Sequence, residues 1–131
     1  MNGTERVLLV ASGVAGFLAV GFGAFGAHAL RGFLAALPDG EARQRFWETA
    51  AHYHLTHALA VAAAAYLSGK PGAPALAGVA GYCFLGGIVL FSGSLYAMTL
   101  TGVRALGAIT PFGGLAFMVG WAALSIAAWR T

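Results

Sequence analysis

Residues 7–30 read VLLVASGVAGFLAVGFGAFGAHAL, a run of 24 residues without Asp, Glu, Lys or Arg, closed at its ends by Arg6 and Arg31. At a rise of about 1.5 Å per residue such a run reaches roughly 36 Å as a helix, more than the ~30 Å hydrocarbon core of a bilayer. A helix satisfies its backbone donors and acceptors within one segment, which is what lets it sit in lipid. The same run could be read as a secretory leader with Ala27-His28-Ala29 at the cleavage position. A leader's apolar core is about 7–15 residues, however, and this run is longer, so it reads as a permanent span.

The rest of the chain points the same way. Of 131 residues, 60% are apolar and 8% charged, and the mean hydropathy is +0.81. A soluble domain carries roughly 25% charged residues, so this chain has too few to cover itself in water. Three further segments are predicted to cross: about 49–67, 74–100 and 105–129. The expected fold is all-α and integral to the membrane, an antiparallel four-helix transmembrane bundle in one domain, 1–131, with residues 31–48 as an interfacial connection. In that connection Phe33, Leu34, Leu37, Phe46 and Trp47 lie beside Arg31, Arg43 and Arg45, a composition suited to the membrane surface. Pro38-Asp39-Gly40-Glu41 reads as a turn and helix start, with Asp39 as N-cap. Thr110-Pro111 reads as N-cap plus proline at the first helical position, so the fourth helix either starts at Pro111 or kinks there.

The net charge of +3 is scattered over the connections and makes no basic stripe, so nucleic acid is not an expected partner. The expected partners are membrane lipid, a second copy of the chain or another membrane protein. The location read from the sequence is the bacterial inner membrane, as a multi-pass protein. Lys and Arg number three on the side of the termini and four on the other, a slight excess that puts both termini outside. A single cysteine, Cys83, excludes an intramolecular disulfide and any Cys-only metal site within one chain.

Two features stand out along the spans. In the first, Ala11, Ala15, Ala19, Gly23 and Ala27 recur at every fourth residue, a small-residue stripe of the kind that lets membrane helices approach closely. Ala15, Ala19, Gly23 and Ala27 are the expected packing positions, and Gly23→Leu is expected to force the backbones apart. The second is polar. Hairpin topology brings the end of the first span, the start of the second, the end of the third and the start of the fourth to one face. That half holds His28, Glu48, Tyr53, His57, Ser92, Ser94, Tyr96 and Thr110. Polar groups in lipid are costly and face the bundle interior or a wet cavity, so these eight are candidates for a polar vestibule. His28 and His57 are expected to share one hydrogen-bonded cluster with Tyr96 or the two serines. His52 and His54 are expected nearer the interface, hydrated. At 100° per residue Glu48, His52 and Thr56 share a face, and the histidines of the second span do not converge on one metal. A haem held between His28 and His57 has no second feature in its favour. No catalytic residue, metal or cofactor is expected. A bundle that binds or moves a small solute or proton through the vestibule is the alternative reading.

Several motifs resemble those of a known group. They are Gly23-Ala24-Phe25-Gly26-Ala27-His28-Ala29-Leu30, Thr49-Ala50-Ala51-His52-Tyr53 with His57-Ala58-Leu59-Ala60, and Phe91-Ser92-Gly93-Ser94-Leu95-Tyr96. Leu106-Gly107-Ala108-Ile109-Thr110-Pro111, with Gly113-Gly114 and Gly120-Trp121, completes the set. The chain resembles the bacterial YgdD-like small inner-membrane proteins, a family of unknown function that includes a small human mitochondrial transmembrane protein. The resemblance implies a four-helix membrane fold without an assigned activity, substrate or cofactor. It carries over to His28, Tyr53, His57, Ser92, Ser94, Tyr96, Thr110 and Pro111, but not to His52 or His54.

Overall fold

The computed structural model describes residues Met1–Thr131 as an all-helical chain: α1 Gly3–Ala27, α2 Ala29–Ala35, α3 Gly40–Ser68, α4 Leu76–Gly87, α5 Gly93–Thr101 and α6 Thr110–Arg130. A π-helical turn, Ile88–Ser92, joins α4 to α5, and a 3₁₀ turn, Arg104–Ala108, precedes α6. Three helical stretches are long and apolar enough to cross a membrane: Gly3–Ala27, Leu76–Thr101 and Arg104–Arg130. The longest helix, α3, is less apolar because it carries Glu41, Arg43, Arg45 and Glu48 in its first turns and three histidines further on.

Helix α1 opens on Asn2, whose side chain accepts the Glu5 N–H at 2.8 Å and donates to Ser68 O at 2.8 Å. One residue thus caps the start of α1 and ties it to the end of α3. Further along, Ser12 Oγ donates to Ala58 O at 2.8 Å, Trp47 Nε1 to Phe22 O at 2.7 Å and Gln44 Nε2 to Gly26 O at 2.8 Å. As residue numbers rise on α1 they fall on α3, so these two helices run in opposite directions along their whole paired length.

The α1 seam differs from the expected stripe. Ala15 and Ala19 are buried, but Gly23 is half-buried and Ala27 exposed. A methyl group added at Gly23 would meet nothing within 4 Å, whereas one at Gly26 would overlap the Trp47 indole. The reason is geometric. A four-residue step advances about 400°, so a strict fourth-residue row drifts some 40° per step and leaves the contact within a few turns. The observed seam alternates steps of four and three: Leu8, Ser12, Ala15, Ala19, Phe22, Gly26. On α3 the buried positions Trp47, Ala50, His54, His57, Val61 and Ala64 follow the same three-four pattern, and of these Trp47 and His54 meet Phe22 of α1. Alternating spacing of this kind holds two helices in register at a shallow left-handed crossing.

The contact between α4 and α6 uses another device. A methyl group at Gly87 or Gly113 would overlap Phe117 or Phe91, and one at Gly120 would lie 2.7 Å from Phe84 Cε1. Phe84 of α4 thus packs its ring on Gly120 and Phe117 of α6 packs its ring on Gly87, while Gly113 lets α6 approach the backbone of Phe91 in the π turn, giving the pairs 84–120, 87–117 and 91–113. The order is again opposed. The last of these phenylalanines sits in the π turn, where the Gly93 N–H reaches back five residues to Ile88 O.

Helix ends are closed by particular residues. Gly102 has φ +72° and its N–H reaches Met98 O at 2.9 Å, ending α5 in the left-handed conformation that favours glycine. Arg43, expected only at the membrane surface, donates from Nε to Thr99 O at 2.7 Å and from Nη2 to Leu100 O at 3.2 Å. It therefore supplies the carbonyls that a helix end leaves without partners. Two N-caps differ from expectation. Asp39 makes no capping bond and instead faces Arg43 at 3.5 Å, and Thr110 lies one residue inside α6, bonded to Ser94.

The surface is apolar where a soluble protein's would be polar. Phe17 is 80% exposed, Met118 70% and Trp129 92%, and only 34 of 131 residues are buried. Gly26→Leu should destabilise the fold by about 1–3 kcal/mol through overpacking against Trp47, while Gly23→Leu should stay within about 0.5 kcal/mol. Unfolding of both variants in detergent micelles, followed by circular dichroism, measures the difference.

Candidate functional site

The eight vestibule candidates do not line one cavity. His28 is exposed at the break between α1 and α2, where its own N–H bonds back to Ala24 O and Phe25 O and its side chain makes no cap. Glu48 is exposed and meets Arg31 at 3.5 Å and Gln44 at 3.1 Å. Glu48, His52 and Thr56 share a face of α3, and all three are exposed. The other candidates enter three separate arrangements inside the bundle.

The first joins α3 to α5 and α1. His54, 4% exposed, places Nδ1 2.9 Å from the Tyr96 hydroxyl. The Tyr96 ring lies 4.5 Å from Trp47 and 5.0 Å, edge-on, from Phe22. Phe22 in turn packs on Trp47 at 5.8 Å. Tyr96 therefore has His54 as its partner, and neither His57 nor His28, as the sequence reading expected. The Ser12–Ala58 and Phe22–Trp47 bonds bracket His54 in the middle of the paired helices, so it is deep and not interfacial. A signal for this existed: His54 falls on the three-four repeat that runs from Trp47 to Ala64.

The second arrangement surrounds His57, also 4% exposed. Nδ1 lies 2.7 Å from Tyr53 O, and Trp121 Nε1 lies 3.1 Å from Nε2. An indole N–H can only donate. Nε2 must then be the acceptor, and the ring proton sits on Nδ1, donated to Tyr53 O. The ring stacks on Phe117 with centroids 3.5 Å apart and lies 5.7 Å from Phe84. Tyr53 is 40% exposed and covers one side through Phe91, at 4.6 Å. With both nitrogens engaged, His57 acts as a cross-brace from α3 to α6 and has no lone pair free for a ligand.

The third is a set of hydroxyl staples. Ser92 Oγ, fully buried, donates to Ala50 O at 2.8 Å, joining the π turn to α3. Ser94 Oγ lies 2.6 Å from Thr110 Oγ1, joining α5 to the start of α6. No three His, Cys, Asp or Glu side chains converge closely enough to hold a metal ion.

The largest cleft lies elsewhere. Helices α1 and α4 run the same way and touch where Leu8 meets Gly81, at 2.6 Å from a methyl group built on the glycine. Further along, Phe22 meets Tyr96. Between these two contacts is an apolar groove of about 870 Å³, lined by 14 residues of which 11 are hydrophobic. Val10, Val14 and Leu18 form one wall, Leu85 and Val89 the other, with His54 and Tyr96 inside and Arg6 at the end.

Long apolar helices, an outward-facing apolar surface and an interior in which nearly every polar side chain is paired define a helical membrane protein. Comparison with known proteins agrees. Residues 22–114 match the family described as "Protein of unknown function (DUF423)". A UPF0382 membrane protein of Bacillus subtilis, YwdK, is 42% identical over 94% of this chain and 96% of its own. A UPF0382 membrane protein of Staphylococcus epidermidis is 41% identical over 93% and 94%, and one of Staphylococcus aureus 36% over 95% and 97%. The chain belongs to this family of membrane proteins of unknown function. No solved structure matches it.

His57→Phe should lower stability by about 1–3 kcal/mol, because it leaves the Trp121 N–H without an acceptor and removes the tie from α3 to α6. His52→Phe, on the exposed face, should change it by less than about 0.5 kcal/mol. Comparative unfolding in micelles separates the two, and equal losses would show that His57 is not a brace.

Proposed function

We propose that this protein is a four-span antiparallel bundle of the bacterial inner membrane, related more narrowly to the YgdD-like proteins. Its role is non-enzymatic and lipid-associated, with a membrane amphiphile held in the groove between α1 and α4–α5. The observation that carries this reading is the groove itself: long, apolar and open sideways toward lipid. A ligand pocket of about 300–1,000 Å³ is typical for small molecules, and the groove falls in that range. Other membrane helices, from a second copy or a different protein, meet the exposed apolar faces.

The fourth span is α3. It pairs with α1 from Asn2–Ser68 to Gly26–Gln44, so if α1 crosses the bilayer α3 crosses beside it. Its polar side chains are compatible with lipid because His54 and His57 spend their hydrogen bonds inside the bundle.

Two measurements test this. In a Cys83→Ser background, single cysteines at Asn2 and Lys70 should be labelled by an impermeant maleimide from one side of the membrane, and those at Pro38 and Val103 from the other. Labelling of Lys70 and Pro38 from the same side would remove α3 as a span. Native mass spectrometry of the detergent-purified protein should show retained lipid, and Val14→Trp, which fills the groove from a lipid-facing position, should lose it. Retention unchanged by Val14→Trp would place the lipid elsewhere.

A further inference from the structure

The basic residues differ in how they are satisfied. There are seven. Arg31, Arg43 and Arg45 each face a carboxylate, at 3.5, 3.5 and 3.0 Å. Lys70 sits 4.5 Å above the Tyr66 ring and Arg104 5.7 Å from the Phe46 ring centre. Only Arg6 and Arg130 have neither kind of partner, and of the two only Arg6 lines the groove. The neighbouring Glu5 does not neutralise it: the Glu5 carboxylate is turned against Gly69, on α3's end.

An unpaired guanidinium at the end of an apolar groove is complementary to an anion attached to a hydrocarbon chain. The dimensions agree. From Arg6 to Phe22, where the groove closes, is sixteen residues of helix, or roughly 24 Å. Half a bilayer, headgroup region included, is about 20–22 Å. A phosphate at Arg6 would therefore put the end of its acyl chain close to the Phe22–Tyr96 contact. Arginine suits the anion, since its planar fork can give two parallel hydrogen bonds to phosphate oxygens.

We infer that the groove binds an anionic phospholipid, with the phosphate on Arg6 and one acyl chain laid between α1 and α4–α5 as far as Phe22. This rests on the groove reading above and adds the headgroup chemistry and direction of the lipid to it. Val10, Val14 and Leu18 on one side and Leu85 and Val89 on the other contact the chain. The far face of the protein does not compete, because its arginines there are engaged by Glu41, Glu48, Asp39 and Phe46.

The test compares phosphatidylglycerol with diacylglycerol of the same two chains, which differ only in the phosphate headgroup. Each is added to delipidated protein in micelles, and retained lipid is counted by native mass spectrometry. The full-length protein should retain phosphatidylglycerol about tenfold better, the expectation for one charge-assisted hydrogen-bonded contact. Arg6→Gln should bring the two lipids level, while Arg130→Gln should leave the preference intact. Val14→Trp and, independently, Val89→Trp should lose both lipids, with circular dichroism confirming that each variant is folded. Equal retention of the two lipids by the unaltered protein, or a preference that survives Arg6→Gln, overturns the phosphate assignment while leaving the groove reading in place. Retention of both lipids by both tryptophan variants overturns the groove reading itself.

Discussion

Helices in lipid gain little from hiding apolar surface in one another, because the surroundings are as apolar as the side chains. Association then depends on close packing and on hydrogen bonds that no solvent will replace. The seam between α1 and α3 supplies both. Its small residues on alternating three and four steps bring the backbones together, and Ser12, Gln44 and Trp47 donate across it to main-chain carbonyls. Everything else is placed from this pair. Trp47, fixed by Phe22 O, positions Tyr96, and α5 docks against α3 through that ring and His54. Helix α6 reaches α3 through Trp121 and His57.

The same absence of water accounts for the dispersal of the polar residues. A polar vestibule needs several groups left partly free and facing one space. Here each buried group has been drawn to a partner on a neighbouring element: His54 to Tyr96, His57 to Trp121, Ser92 to Ala50 O, Ser94 to Thr110. An unpaired polar atom inside would cost roughly 1–3 kcal/mol, so pairing across helices is both the means of satisfying these groups and the glue. Gln44 Oε1 is the one enclosed side-chain oxygen or nitrogen without a partner, and it lies at the polar end of α3, outside these arrangements. The largest cleft left open is apolar, which favours a chain-like lipid over a hydrated solute there.

The groove also follows from how the helices share contacts. Helix α1 leans on α3 and meets α4 only near Leu8–Gly81, while α6 is locked to α4 and the π turn by the glycine–phenylalanine pairs. The two antiparallel pairs meet through α3 and α4. Helices α1 and α4, running the same way, are left with a gap between their two points of contact. A gap between parallel neighbours flanked by β-branched and leucine side chains is a place where lipid can enter sideways, and the unpaired Arg6 stands at its end.

The sequence by itself determined the solvent and the elements. Charge-free runs long enough for a bilayer, polar joins and Pro111 in the first turn of the last helix are local signals, read from hydropathy and backbone preference. They located the helices to within a few residues, α3's start at Gly40 included, apart from the short α2 cut off by the break at His28. The family motifs likewise singled out His57, Ser92, Ser94 and Tyr96, all of which are buried. Tertiary structure alone decided what each of these touches. The small-residue stripe pointed to Gly23 and Ala27, yet the seam turned to Gly26, because a fourth-residue row rotates off a contact that a three-four row follows. His54 and His57 are three residues apart and similar in burial, yet one faces Tyr96 and the other Trp121. About 300° of helical rotation separates them, a net 60°, which turns one toward α5 and the other toward α6. Partner identity in a lipid-embedded bundle depends on rotation about each helix axis and on which helix stands alongside, and neither quantity is encoded in hydropathy.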